Sequence, residues 1–198
     1  MSDVAAVLIG PERPRAGDLP ADVVTVPSLG QIRDAAARVH APLLWLLDSN
    51  ALPLDGALDA LLESGYDPAV SLPVDDAGSA AEPELGRFTE SDVPGILDAI
   101  RVRRMPLRHT YVISMLVRTE VVRELEPPDQ ARYGRYAGSE WTARVFAGRP
   151  GMLVPASRVR VVARAPGSLH HALRMTRTGV WGRRETAVEL RRSLLRGR

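Results

Sequence analysis

Residues 22–50 read DVVTVPSLGQIRDAAARVHAPLLWLLDSN, and the architecture of the chain can be worked out from this segment. It begins with a β-branched run, Asp22 to Val26, which predicts a strand. The Ser-Leu-Gly-Gln of residues 28–31 is a capping-box pattern, and apolar residues recur at helical spacing after it, so a capped helix is predicted. A second apolar run, Leu43 to Leu47, predicts another strand. Strand, helix and strand in this order form a βαβ unit, which implies parallel strands and a right-handed crossover.

Polar side chains follow directly after the second strand of this unit, at Asp48, Ser49 and Asn50. In open α/β folds, ligands bind in the crevice beyond the carboxyl ends of the strands. The side-chain oxygens of Asp48 and Asn50 suit a hard divalent cation, such as Mg²⁺ or Mn²⁺, that bridges to the phosphates of a substrate. We therefore predict a metal site at Asp48 and Asn50. The alternative is that Asp48 ends the strand and Asn50 shapes a turn.

The rest of the chain continues to alternate between predicted strands and helices, and we expect residues 1–198 to form one domain. Further strands are predicted at residues 4–9, 68–74, 110–117, 152–154 and 158–162. Further helices are predicted at residues 56–64 (after a turn at Pro53), 93–100, 120–125, 139–146 (with Ser139 as the N-cap), and from 169 onward with a break near 178–179. The acidic stretch 75–92 is predicted to be a loop over the site.

The composition is that of an ordinary globular protein, with 45% hydrophobic and 25% charged residues among 198. The absence of cysteine excludes disulfides and thiolate metal sites. No apolar run is long enough for a membrane-spanning helix, and residues 1–10 lack the features of a signal peptide, so we expect a cytoplasmic protein. A net charge of +2 and 5% aromatic residues argue against nucleic acid as a partner, although the chain has many arginines and no lysine.

Five segments of the chain look, in order, like the successive blocks of one protein family. They are VPSLGQIRDAAARVHAP (26–42), LLWLLDSNALPLDGALDALLES (43–64), HTYVISMLVRTEVVRELEPPD (109–129), SEWTARVFAGRPGMLVPASRVRVV (139–162) and LHHALRM (169–175). Together they resemble the family 2 glycosyltransferases of the GT-A fold, over about residues 22–180. The resemblance implies a single-domain, GT-A-like α/β/α sandwich with a mixed, mostly parallel sheet.

The resemblance also implies an enzyme that moves a sugar from a nucleotide-diphosphate donor to an acceptor hydroxyl, with inversion and with the help of a divalent metal. Asp48 and Asn50 match the positions that bind the metal and the diphosphate. Glu140 matches a carboxylate on a helix, and it is expected to be catalytic, as the general base or in contact with the acceptor. Arg144 follows four residues later, where it can pair with Glu140 or bind phosphate.

Two further residues are candidates for substrate binding. Arg174 matches an arginine that approaches phosphate in the family, where planar bidentate contacts are useful. Trp141 lies beside Glu140 in the sequence and is a candidate to stack on a sugar face, with core packing as its alternative.

Three departures from the family keep a second hypothesis open. Ala137 and Gly138 stand where the family has a carboxylate pair, so Glu140 or an acid of the 75–92 loop would have to supply the base. No histidine follows the Val-Pro strand in residues 158–163. Less chain precedes Asp48 than precedes the matching aspartate in the family. The alternative is a non-catalytic GT-A-like domain that acts as a partner or scaffold for another enzyme.

Residues 169–198 are expected to form a basic, helical C-terminal extension. From His170 onward this stretch has eight arginines and two glutamates. Its amphipathic pattern predicts contact with an anionic membrane surface at the inner face of the membrane, or with a partner protein. The alternative is a docked terminal helix with a solvated face.

Overall fold

A mixed β-sheet runs through the molecule. The computed structural model describes residues 3–10, 19–81, 87–88, 106–161, 169–181 and 186–187. The described strands are β1 (Val4–Ile9), β2 (Asp22–Val26), β3 (Leu43–Asp48), β4 (Ala51–Pro53), β5 (Ala69–Val74), β6 (Arg87–Phe88), β7 (Pro106–His109), β8 (Ser114–Arg118) and β9 (Gly151–Val161).

The strand order in this sheet is β2-β1-β3-β8-β5-β9-β7-β6, with β4 paired to β9. β1 is parallel to both β2 and β3, and β5 is parallel to β9. The other described pairings are antiparallel. Following these directions across the sheet, six of the nine described strands point the same way, because β4, β7 and β8 are the ones that run against the rest. The prediction of a mixed sheet with most strands in one direction is confirmed.

Helices cover both faces of the sheet. They are α1 (Ile32–Arg38), α2 (Ala57–Glu63), α3 (Thr119–Glu124), α4 (Gln130–Tyr133), α5 (Ala137–Gly148) and α6 (Leu169–Arg177). Alternate residues of β1 point to opposite faces, as a strand requires, so Val7 joins one apolar cluster and Leu8 the other. The cluster around Val7 includes buried residues of α1, α3 and α5, and the cluster around Leu8 includes those of α2 and α6. The expected α/β/α layering is confirmed.

The predicted βαβ unit is present, but its helix begins differently. Ser28 precedes a 3₁₀ turn, Leu29–Gln31, and makes no side-chain capping bond. The turn is held by the backbone bond from Gln31 N to Ser28 O (3.1 Å), and α1 then starts at Ile32. The predicted capping box is therefore wrong, since the backbone closes the first turn by itself.

The apolar run 110–117 was predicted as one strand, and the structure divides it. β7 ends at His109 and β8 begins at Ser114. Between them, Thr110 N donates to Thr142 Oγ1 (3.0 Å), and Thr142 Oγ1 donates to Thr110 O (2.6 Å). The side chain of Thr142 thus hydrogen-bonds both backbone groups of Thr110, which a neighbouring strand would otherwise have paired.

Three smaller boundaries also differ from the prediction. Pro53 lies in β4, and the turn comes at Gly56, whose φ is +72°. The two strands predicted at 152–154 and 158–162 are one strand, β9, which is irregular where it pairs with β5 at Ser71. Helix α5 starts two residues before Ser139, because it continues a 3₁₀ turn at Gly134–Tyr136.

The predicted 75–92 loop is described only in part, at residues 75–81 and 87–88, and its residues 87–88 form the short strand β6. The helix predicted at 93–100 lies outside the described residues.

The predicted C-terminal extension is described as far as α6 and a few residues beyond it. Helix α6 buries Ala172 and Met175 in the cluster around Leu8, and it leaves Leu173 exposed. It ends near Gly179, whose φ is +75°, as the sequence predicted. No helix in the described part of the chain has both the length and the apolar character needed to cross a membrane.

A chain of buried hydroxyl groups crosses four adjacent strands. Trp45 Nε1 on β3 donates to Ser114 Oγ on β8 (2.9 Å), which lies 2.6 Å from Ser71 Oγ on β5. Ser71 Oγ lies 2.7 Å from Ser157 Oγ on β9, and Ser157 Oγ donates to Ala57 O of α2 (2.7 Å). Because Ser157 donates its one hydroxyl proton to a carbonyl, Ser71 must donate to Ser157, and Ser114 must donate to Ser71. Every hydroxyl in this serine relay therefore donates once and accepts once.

We expect Ser71→Ala to lower the free energy of unfolding by about 1–3 kcal/mol, because the proton of Ser114 and a lone pair of Ser157 lose their buried partner. Urea unfolding followed by tryptophan fluorescence measures this loss. Ser79→Ala is the matched control, since Ser79 is exposed, and it should change the free energy by less than about 0.5 kcal/mol. Equal effects of the two substitutions would contradict the role assigned to the relay.

Candidate functional site

A cleft of about 210 Å³ opens beyond the carboxyl ends of β1 and β3. One wall is formed by the strand ends, from Gly10 and from Asp48 to Asn50, together with Pro27 and Ser28 after β2. The other wall is formed by Tyr111 and Val112, between β7 and β8, and by residues before and at the start of α5, which are Gly134, Arg135, Ala137 and Gly138. The cleft lies where parallel strands place a ligand crevice.

Backbone hydrogen bonds hold the strand ends at this edge together. Gly10 N donates to Val26 O (2.9 Å), and Ser49 N donates to Ile9 O (2.8 Å). Gly10 has a φ of +129°, and a Cβ there would lie 2.0 Å from Ser49 Oγ. Only glycine therefore fits at the end of β1 without displacing Ser49.

Asp48 and Asn50 come together in a tight local arrangement. Asp48 Oδ1 accepts from Asn50 N (2.9 Å) and from Asn50 Nδ2 (3.0 Å), which is an Asx turn. The backbone of Asp48 is also tied to the opposite wall, because Asp48 N donates to Ile113 O (2.8 Å). The turn chemistry that the sequence left open is thus present, and it leaves the carboxylate at the rim of the cleft.

The described residues do not supply the ligand set of a metal held by the protein alone. Within the described ranges, no group of three or more His, Cys, Asp or Glu side chains could hold a metal ion. Asp48 is the acidic side chain among the residues that line the cleft, and its Oδ1 already accepts twice from Asn50. Mg²⁺ requires six ligands in near-octahedral geometry, so most of them would have to come from a substrate and from water.

Glu140 and Arg144 form the ion pair that their spacing predicted. Arg144 Nε donates to Glu140 Oε1 (2.9 Å), and Nη2 donates to Glu140 Oε2 (3.0 Å), so both carboxylate oxygens are engaged. Arg144 Nη1 also donates to Glu126 O (2.9 Å). Neither residue lines the cleft, whereas Ala137 and Gly138 of the same helix do. The structure therefore brings the pair together but keeps it apart from Asp48.

The other two candidates for substrate binding also lie outside the cleft lining. Trp141 is fully buried in the apolar cluster around Val7, so its ring has no exposed face on which a sugar could stack, and core packing is its role in this structure. Arg174, on α6, donates from Nη1 to Arg132 O (3.2 Å). Helix α6 supports the cleft wall from behind, because a Cβ at Gly134 would lie 2.3 Å from His171 Nδ1.

Arg135 is a site residue that the sequence reasoning missed. It lies in the 3₁₀ turn before α5 and lines the cleft. Its guanidinium carbon lies 5.5 Å from the centroid of the Tyr111 ring and 5.7 Å from that of Tyr136. Its Nε and Nη1 atoms are buried and make no hydrogen bond. The signal that could have found it is the alternation of arginine and tyrosine in RYGRY, residues 132–136.

Comparison with known proteins identifies a fold. No family model matches the chain, and no curated protein matches it. The solved structure of A197 from STIV matches 81% of this chain and 86% of its own, with 9% identity and a TM-score of 0.49. The structure of S. aureus TarS matches 96% of this chain with 8% identity and a TM-score of 0.52, and the chain spans 42% of the length of TarS. The likeness to TarS indicates a glycosyltransferase-like fold, and at this identity it shows the fold alone.

We expect Glu140→Gln to lower the free energy of unfolding by about 1–2 kcal/mol, because the charge-assisted bonds from Arg144 to a carboxylate that is 13% exposed are lost. Chemical denaturation measures the loss, and a double-mutant cycle with Arg144→Met should give a coupling energy above about 0.5 kcal/mol.

Glu120→Gln is the control for this prediction, since Glu120 pairs with Arg118 at 2.8 Å but its side chain is 60% exposed. Its effect should be below about 0.5 kcal/mol. A zero coupling energy between Glu140 and Arg144 would show that the pair does not stabilise α5.

Proposed function

We propose that this chain is a glycosyltransferase that moves a sugar from a nucleoside-diphosphate donor to an acceptor hydroxyl. The observation that carries the proposal is the cleft beyond β1 and β3, with Asp48 at its rim, in a glycosyltransferase-like fold. TarS, a GT-A-like glycosyltransferase, shares the fold over 96% of this chain. The order of the sequence segments supports a relationship to the family 2 glycosyltransferases.

In this proposal Asp48 positions the donor. The Asx turn with Asn50 fixes the carboxylate, and the bond from Asp48 N to Ile113 O fixes its backbone. A carboxylate held in this way accepts hydrogen bonds from sugar or ribose hydroxyls, which orients the anomeric carbon towards the acceptor. No step is assigned to a metal, and the assistance of Mg²⁺ or Mn²⁺ that the resemblance implies is tested by repeating the titrations with each ion and with EDTA.

The candidate general bases Glu140 and Asp75 are engaged in hydrogen bonds within the protein. Inverting transfer needs a base within hydrogen-bond reach of the acceptor hydroxyl. Glu140 can act as that base only after it releases Arg144, which engages both of its oxygens. The loop residue Asp75 is also engaged, because its Oδ1 accepts from the backbone nitrogens of Ala77 and Ser79 (2.9 Å each).

These engaged acids support a second candidate function, a glycosyltransferase-like domain that binds a nucleotide sugar or a partner enzyme without turnover. The cleft-facing positions of α5 are Ala137 and Gly138, which carry no carboxylate. The proposed contact of residues 169–198 with a membrane surface or a partner protein fits either function, as does a cytoplasmic location.

Asp48→Asn and Asp48→Ala test the proposal together. The Asn variant keeps an oxygen for the Asx turn and removes only the charge, whereas the Ala variant removes both. With a panel of nucleotide sugars, we expect calorimetry to show binding to the unsubstituted protein and at least about tenfold weaker binding to both variants. Asp59→Ala is the matched control, since Asp59 is exposed on α2 and outside the cleft lining.

A turnover assay with the same panel separates the two functions. Release of nucleoside diphosphate that is lost in Asp48→Asn supports the enzyme. Binding without any release, even when candidate acceptors are supplied, supports the non-catalytic domain. If no nucleotide sugar binds at all, the enzyme is wrong, and co-purification with an intact glycosyltransferase then tests the partner role of the non-catalytic domain.

A further inference from the structure

We propose that Arg135 is the anion-binding residue of the cleft, and that it holds the diphosphate of a nucleoside-diphosphate ligand without a divalent metal. The identity of the ligand rests on the proposed function. The existence of an anion site rests on the environment of Arg135 alone.

The guanidinium of Arg135 is partly buried, and no acceptor among the described residues bonds to two of its nitrogens. Its Nε and Nη1 are buried without a hydrogen-bond partner. Among the described residues it makes no ion pair, and its contacts are the rings of Tyr111 and Tyr136. Nη2 is not among the buried unpartnered atoms, so the guanidinium keeps one accessible nitrogen where the residue lines the cleft. A partly buried cation without a counter-charge is costly, and an anion that bonds to Nη2 from the cleft would lower that cost.

Several other arginines of the described residues have acceptors inside the protein. Arg144 pairs with Glu140, and Arg118 pairs with Asp67. Arg123 donates to the backbone oxygens of Ala36 and Val39. Arg135 differs from these arginines, because it lines a cleft while two of its donors are buried without an acceptor.

The residues around Arg135 pack closely against the rest of the fold. Tyr136 is fully buried, and its ring meets Trp181 edge-on with the centroids 4.5 Å apart. The preceding residue, Gly134, lies against His171 of α6. A side chain packed beside two rings loses less conformational freedom on ligand binding than an exposed one, and a guanidinium offers planar donors to phosphate oxygens.

The charge balance of the cleft points to the same ligand. Asp48 and Arg135 are the acidic and the basic side chains that line it. The ligand set for a metal is poor at Asp48, so the positive charge offered to a diphosphate by the described residues is that of Arg135. Arginine can neutralise a leaving diphosphate by electrostatics and hydrogen bonding, without a metal.

The test is calorimetric titration of inorganic pyrophosphate and of a nucleoside diphosphate (UDP, then GDP) in EDTA. We expect the unsubstituted protein to bind both classes of probe, and Arg135→Gln to bind them at least about tenfold more weakly. Arg132→Gln is the matched control. Arg132 is exposed, lies over the Tyr133 ring at 5.3 Å and is outside the cleft lining, so binding should stay within about twofold.

Arg135→Lys keeps the experiment decisive if Arg135→Gln does not fold. It retains the charge but loses the planar group, so we expect it to bind the probes more weakly than the unsubstituted protein but still detectably. Tryptophan emission gives a readout that needs no substitution. Trp181 packs against the ring of Tyr136, which lies beside Arg135, so its emission should change as pyrophosphate is added in EDTA. If binding requires Mn²⁺, or if the Arg135 variants bind as the unsubstituted protein does, the inference is overturned.

Failure of this inference and failure of the proposed function give different results. If a nucleotide sugar is bound and turned over, and Arg135→Gln binds it unchanged, the role of Arg135 is wrong and the enzyme stands. If pyrophosphate binds through Arg135 and no nucleoside diphosphate binds, the anion site stands, and the diphosphate ligand and the proposed function are both wrong.

Discussion

The serine relay fixes the register of the sheet, and the position of the cleft depends on that register. The relay runs from Trp45 through Ser114, Ser71 and Ser157 to the carbonyl of Ala57, and it crosses β3, β8, β5 and β9 in spatial order. A one-residue slip of any strand would turn its member of the relay to the opposite face, where the partners are apolar side chains. Since an unpaired buried hydroxyl costs about 1–3 kcal/mol, each slipped register is disfavoured by more than lost packing.

The same chain of constraints continues from the relay to the cleft. Ser114 follows Ile113, whose carbonyl accepts from Asp48 N, so the relay and the rim of the cleft are neighbours along the backbone. A little earlier, Thr110 is held at both of its backbone groups by Thr142 of α5. Helix α5 therefore cannot move relative to the strand ends without breaking these bonds. The 3₁₀ turn that precedes α5 carries Arg135. Both walls of the cleft are therefore fixed by buried polar contacts.

Local patterns in the sequence predicted the parts of the fold that depend on local interactions. The βαβ unit was predicted because its periodicities are set by which face of each element is buried, and the Glu140–Arg144 pair because four residues make one turn of a helix. The break in the run 110–117 was missed because its cause, Thr142, is 32 positions away from Thr110. Arg135 was missed for a similar reason: its value as a site residue depends on the ring of Tyr111 and on the absence of an acceptor. A sequence does not show either of these.

Whether a charged side chain already has a partner inside the protein is therefore more informative about function than which residue type it is. Glu140 is the residue that the family resemblance made catalytic, yet the fold satisfies both of its oxygens through Arg144. Arg135 was given no role, yet the fold buries two of its donors beside a cleft and leaves them without acceptors. Folded proteins satisfy nearly all of their buried polar groups, so a group left unsatisfied at a cleft marks a place where a ligand completes the structure. By that reasoning, the 3₁₀ turn before α5 carries the proposed anion site of this cleft, whereas the Glu140–Arg144 pair in the first turns of α5 stabilises the helix.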